Sequence, residues 1–167
     1  MTEGRAAEMV PAGDGASVPT PAALLARLIG TWTIERSISP DGSFRGAATF
    51  VQRADGDLGY SEQGELVLPT GRFAAERRYR FEPHETGFTV HFVDTAPRLF
   101  HRVELRRMPD GAWTGEAPHP CGNDLYVTAY CFAPDGTFTI INRVSGPNKD
   151  YVVTSAYTRT GSQRIAA

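Results

Sequence analysis

Residues 58–94 read LGYSEQGELVLPTGRFAAERRYRFEPHETGFTVHFVD, and this stretch decides the fold. Two turn signals, Pro69-Thr70-Gly71 and Glu85-Thr86-Gly87, cut it into three segments of about strand length. Proline presets φ and glycine supplies the backbone angles of a tight reversal, so both positions read as hairpin turns. Alternate residues carry most of the apolar bulk: Tyr60, Glu62, Gly64 and Leu66, then Phe73, Ala75, Arg77, Tyr79 and Phe81, then Phe88, Val90 and Phe92. A period of two marks a strand with one buried face. It carries Glu62 and Arg77 inward with the aromatic rings and sends His91 out.

The same punctuation continues in both directions. Turn signals recur at Pro40-Asp41-Gly42, Asp55-Gly56, Ala96-Pro97, Pro109-Asp110-Gly111, Pro120-Cys121-Gly122, Pro134-Asp135-Gly136 and Gly146-Pro147-Asn148. They define further segments at roughly 31–39, 43–53, 98–107, 112–118, 123–132, 137–145 and 150–159. That makes ten consecutive strands, with no gap long enough for a crossover helix, so the chain is all-β and antiparallel. A flat sheet would leave two exposed edges, which closure into an up-and-down barrel of about ten strands removes. A β-sandwich is the alternative, but regular hairpins without long connections favour the barrel. A barrel of this strand number is wider than side chains readily fill, so an internal cavity is expected. Ahead of the strands, PAALLARLI at 21–29 reads as a short helical turn with Pro21 in its first turn. Residues 1–20, rich in Ala, Gly and Pro, read as a disordered tail, leaving one barrel domain over 21–167.

The 167 residues include 17 Lys+Arg against 19 Asp+Glu, and this near-neutral balance excludes a nucleic-acid or anionic-membrane surface as the main partner. No apolar run approaches the ~18 residues of a membrane span, and the first residues lack the apolar core of a signal peptide. Cys121 and Cys131 are too few for a disulfide framework. The expected location is therefore cytoplasmic.

Alternation places Trp32, Ile34, Arg36 and Ile38 inward on the first strand, and Phe44, Gly46, Ala48 and Phe50 on the second. Leu99, His101, Val103 and Leu105 go inward on the sixth, and Tyr151, Val153, Ser155, Tyr157 and Arg159 on the last. Unpaired charges in such a lining cost several kcal/mol, so Arg36, Glu62 and Arg77 must pair or meet solvent.

Gly30-Thr31-Trp32 after a helical turn resembles the G-x-W signature that opens the first strand of lipocalins and related calycin barrels. The resemblance implies that Arg159 stacks on Trp32, closing one end where the first and last strands meet. Phe100-His101, the run from His119 to Tyr126, and the run from Gly146 to Tyr151 also resemble an uncharacterised bacterial and fungal calycin-like family. That likeness spans most of residues 28–159 and implies fold more than activity; Thr95-Ala96-Pro97-Arg98 departs from it where a Gly-Arg turn is expected. On the eighth strand either Leu125, Val127, Ala129 and Cys131 or Asp124, Tyr126, Thr128 and Tyr130 face inward. The polar linings of calycin barrels favour Asp124 and Tyr126.

The expected function is binding of a small, partly apolar organic molecule, with Arg36, Tyr60, Arg77, Tyr79, Phe92, His119, Cys121, Tyr151 and Tyr157 as ligand contacts. His101, with Glu62 or Asp124 as its carboxylate partner and Tyr126 as a donor, forms the candidate acid–base centre of a cofactor-independent isomerase, cyclase or lyase. The competing class is a non-catalytic carrier or sensor in which the same groups only orient the ligand. No metal or cofactor is expected, although a haem or a metal at His101, His119 and Cys121 is a chemical alternative. Self-association as a homodimer stays open.

Overall fold

The structure, a computed structural model, describes residues 19–93 and 98–161. A short helix, α1 (Pro21–Ala26), leads into eleven strands: β1 (Gly30–Ile38), β2 (Gly42–Gln52), β3 (Leu58–Leu68), β4 (Gly71–His84), β5 (Gly87–Phe92), β6 (Arg98–Glu104), β7 (Arg106–Arg107), β8 (Trp113–Cys121), β9 (Asp124–Phe132), β10 (Phe138–Gly146) and β11 (Lys149–Arg159). All pair antiparallel in one sheet of order β6-β5-β4-β3-β2-β1-β11-β10-β9-β8-β7. The chain is thus an up-and-down barrel whose first and last long strands meet, Trp32 opposite Arg159 and Ile38 opposite Val153. The expected disordered tail lies outside the described residues except at its end. There Thr20 is ordered, its hydroxyl accepting from the Ala23 N–H at 3.1 Å to cap α1.

The eleventh strand arises because the expected sixth strand breaks at Leu105. Its N–H donates to the Thr86 carbonyl at 2.8 Å, keeping β6 with β5, while β7 crosses to pair with β8 through Arg106 opposite Thr114. Gly115 lets β8 pass close to β6 here, since a Cβ would press on Val103 and the Glu104 carbonyl. Above this point β6 and β8 share no ladder, so the barrel is nearly closed, with one unzipped seam.

Three reversals use the same chemistry. Arg53–Asp57, Met108–Ala112 and Ala133–Thr137 each place Asp-Gly at the third and fourth positions, with Gly56, Gly111 and Gly136 at φ of +90, +89 and +90°. The Asp carboxylate accepts from the N–H two residues on, at 3.0, 2.9 and 2.9 Å. The turn expected at Pro120-Cys121-Gly122 falls one residue later. Gly122 at φ +61° and Asn123 make the reversal, so Pro120 and Cys121 stay extended in β8.

The three Asp-Gly loops share one end of the barrel with α1, and this end is shut. Leu25 and Leu28 are buried beneath Trp32, Phe50, Phe81, Phe88, Phe132 and Phe138, whose rings touch in a continuous series, for example Trp32–Phe138 at 4.8 Å and Phe81–Phe88 at 5.5 Å. Each such side chain stabilises the fold by roughly 1.5–3 kcal/mol. The Trp32 indole N–H donates to the Leu28 carbonyl at 2.8 Å. The Arg159 guanidinium lies 4.4 Å over the Trp32 ring and donates to the carbonyls of Ile29 (2.8 Å) and Arg27. The opposite end, where β1–β2, β3–β4, β8–β9 and β10–β11 turn, has no helix across it among the described residues, and Phe73 there is 46% exposed.

Candidate functional site

The inner face changes character halfway up the barrel, from apolar rings to polar groups arranged in three clusters. The first is built on Arg36. Its two terminal nitrogens each donate to one oxygen of Glu62 at 2.8 Å, and its Nε donates to Ser155 Oγ at 2.7 Å. Tyr60 donates to Glu62 and sits 3.0 Å from the Tyr157 hydroxyl. A local device positions the guanidinium. Gly46 and Gly64 lie opposite each other on β2 and β3, and Phe44 lies across both, where a Cβ on either glycine would strike it. The Phe44 ring then carries Arg36 on its face at 4.7 Å. Burial alone would push the Glu62 pKa up, but the hydrogen bonds and charge of Arg36 hold it below the ordinary carboxylate range. Burial raises the pKa of Tyr60 and of Tyr157, so both keep their protons.

The second cluster centres on His101 of β6, buried to 3% exposure. Its Nε2 lies 2.8 Å from the Tyr130 hydroxyl, and its Nδ1 is buried with no hydrogen-bond partner among the described residues. Desolvation, aided by the nearby His119, lowers the His101 pKa to about 4, so the ring is neutral at neutral pH. Burial pushes the Tyr130 pKa well above its ordinary value. Around them, Tyr79 stacks on Phe100 at 5.8 Å, Phe92 meets Phe100 at 4.6 Å, and His119 meets Phe100 at 5.2 Å. The third cluster is at the rim. Lys149 donates to Asp124 at 2.9 Å and to the Tyr126 hydroxyl at 3.0 Å, lying 5.6 Å over the same ring. Tyr151 is half-buried opposite Val144.

Asp124, Tyr126, Thr128 and Tyr130 are on the inner side of β9, Thr128 and Tyr130 being buried and Leu125 and Cys131 exposed. The carboxylate expected beside His101 is not there: Arg36 holds Glu62, Lys149 holds Asp124, and Tyr130 takes the imidazole. Leu99, expected inward, is 57% exposed. The cause is a bulge: Val90 pairs with His101 but His91 pairs with Leu99, so Phe100 has no opposite number and turns into the barrel beside His101. Arg77 and Phe73 share the inner side of β4 but stand at the open mouth, the Arg77 side chain 52% and Phe73 46% exposed. Cys121 is exposed at the rim, and among the described residues no three His, Cys, Asp or Glu side chains converge as a metal site, so the His101, His119 and Cys121 set is not assembled.

The residues missing from the expected site are Phe100, Tyr130, Ser155, Asn142 and Lys149. Alternation reaches Tyr130 and Ser155, which lie on faces already assigned inward. Asn142, accepting from Thr128 Oγ1 at 2.7 Å, follows by the same rule once Phe138 is set inward. Phe100 has no periodic signal, because a bulge shifts the parity.

The chain belongs to a family of unknown function, DUF6314, whose model matches residues 28–159. No curated protein matches it. Two solved structures are similar in fold. One is a redesigned β-barrel, mFAP1, bound to DFHBI, at 15% identity and TM-score 0.41 over 81% of this chain and 98% of that one. The other is EF1p2_mFAP2b bound to DFHBI, at 14% identity and TM-score 0.43 over 84% of this chain and 100% of that one. Among the described residues no helix is long and apolar enough to cross a membrane.

Proposed function

We propose that the open half of the barrel binds a small, partly apolar organic molecule. The observation that carries this reading is the buried Nδ1 of His101, which has no hydrogen-bond partner among the described residues. A buried polar atom without a partner costs about 1–3 kcal/mol, and a site that fills with ligand recovers it. The surroundings suit such an occupant: Tyr79, Phe92, Phe100, His119 and Tyr126 are only half-buried although they belong to the inner face, so their rings stand open to an entering molecule. The reading needs no metal or cofactor. The packing of Arg159 on Trp32 supports placing the family among the calycin-like barrels.

A second reading, a cofactor-independent isomerase, cyclase or lyase, draws support from the neutral imidazole, which can polarise a bound oxygen. Binding comes first, because Glu62 and Asp124 are each held by a cation, so neither expected carboxylate is free to act with His101. Titration with neutral aromatic fragments, followed by amide chemical shifts, tests the binding reading. Shifts are expected to cluster on residues 92, 100, 101, 119 and 126, and to vanish in His101→Phe if the orphan nitrogen anchors the ligand. Shifts confined to the outer concavity of about 1020 Å³ that Thr33, Glu35, Thr139 and Thr158 line would overturn it.

A further inference from the structure

The orphan nitrogen of His101 has a definable protonation. The Tyr130 hydroxyl keeps its proton and has His101 Nε2 as its partner. If Tyr130 donates to Nε2, a single buried group is left over, the Nδ1–H. If Nε2 donated instead, both the phenolic proton and the Nδ1 lone pair would be left over. Every stranded buried group carries a desolvation cost, so the arrangement that strands one rather than two wins. The deep end of the chamber therefore presents a donor and requires an acceptor.

The mouth has a sign as well. Among the described residues, both oxygens of Glu62 are taken by Arg36, one oxygen of Asp124 pairs with Lys149 at 2.9 Å, and Glu65 pairs with Arg72 at 2.6 Å. Lys149 lies over the Tyr126 ring and Arg98 over the Phe92 ring at 4.7 Å, so two aromatic faces that could attract a cation already carry one. Arg77 comes no closer than 3.8 Å to Glu62, whose oxygens are taken, and its half-exposed guanidinium retains donors at the entrance. Arg77 and Tyr79 share one face of β4, and Tyr79 stacks on Phe100, the neighbour of His101. A wall of parallel rings thus separates an outer cationic donor from an inner neutral one.

Resting on the binding reading above, we infer that the ligand is a planar ring molecule with oxygen acceptors at both ends. One oxygen accepts from His101 Nδ1, and the outer group is an anion, a carboxylate or its equivalent, facing Arg77. A cationic or purely hydrocarbon ligand is selected against.

Calorimetry with four probes tests this: 6-hydroxy-2-naphthoate, its carboxamide, the 6-hydroxynaphthalen-2-ylmethylammonium ion, and 2-naphthoate, which lacks the inner oxygen. The hydroxynaphthoate is expected to bind at least about tenfold more tightly than the ammonium ion and the carboxamide. It alone among the two carboxylates should move the ¹⁵N resonance of His101 Nδ1. In Arg77→Gln, checked for an unchanged urea midpoint, its preference over the carboxamide should shrink to about twofold or less while the carboxamide affinity holds. Equal or tighter binding of the ammonium ion, or a preference that survives in Arg77→Gln, overturns the anion inference and leaves small-molecule binding standing. An unmoved Nδ1 resonance overturns the inner acceptor. If none of the four binds in the chamber, the binding reading falls with it.

Discussion

Arg36 and Glu62 illustrate how a buried pair is held and what its loss should do. The bidentate contact at 2.8 Å satisfies both carboxylate oxygens, Ser155 takes the remaining Nε–H, and Phe44 supports the guanidinium plane. Removing one member leaves a charge in a site from which water is excluded. Glu62→Gln should therefore destabilise the protein by about 3–5 kcal/mol, whereas Arg36→Met with Glu62→Leu should be nearly neutral or stabilising. Urea unfolding of the two variants decides it, and a double variant as damaged as the single one would show that the pair organises the barrel beyond its own charges. The inward course of both residues was legible from alternation alone. Their identity as mutual partners was not, because Arg77 is equally inward by parity and directly opposite Glu62 in register. Arg36 wins by reach: it comes from across β2, over Phe44, and presents both nitrogens.

At the scale of elements, the seam between β6 and β8 follows from two prolines. Cys121 and Asp124 flank the two-residue turn and exchange hydrogen bonds, so along β8 residues 121, 119 and 117 face β9 while 120, 118 and 116 face the other way. Thr114, of this second parity, pairs with Arg106 as required. Continuing that register would set Arg102 opposite Pro118 and Phe100 opposite Pro120, where no N–H exists to donate. Replacing both prolines by threonine restores two donors toward β6. The expected result is slower hydrogen exchange at positions 118 and 120 and along β6, with slower exchange of any bound ligand beside His101. Unprotected amides at 118 and 120 would mean that the bulge at Phe100, rather than the prolines, holds the strands apart. Ending the strand at residue 118 and reading Pro120-Cys121-Gly122 as the turn hid this role, since a strand that runs on to Cys121 is needed to aim both prolines at a neighbour. The hairpins, by contrast, were legible because each Asp-Gly or Pro-Thr-Gly states its own backbone requirement locally.

For the molecule as a whole, the apolar half and the polar half of the barrel should respond to acid in different windows. His101 is the group that separates them. Its pKa lies at about 4 in the folded protein against an ordinary value of 6.5, so the unfolded chain binds its proton first. Stability from this residue is fully present above pH 6.5 and is lost as the pH falls toward 4, by about 3 kcal/mol in all. Glu62 also has a lowered pKa, but its ordinary value is 4.5, so the stability it supplies is lost only below that point. Two descending limbs are expected in the dependence of unfolding free energy on pH, the first between 6.5 and 4 and the second under it. In His101→Gln the side-chain carbonyl still accepts from Tyr130 and the imidazole titration is gone, so the first limb should flatten while the second persists. Urea unfolding at intervals from pH 7 to 3 measures both limbs, and a first limb of unchanged slope in His101→Gln would place the titrating group elsewhere. No periodicity in the sequence predicts the limb. It depends on Phe100 turning inward at the bulge and on Tyr130 arriving from β9 to replace a carboxylate with a neutral hydroxyl, which leaves desolvation unopposed.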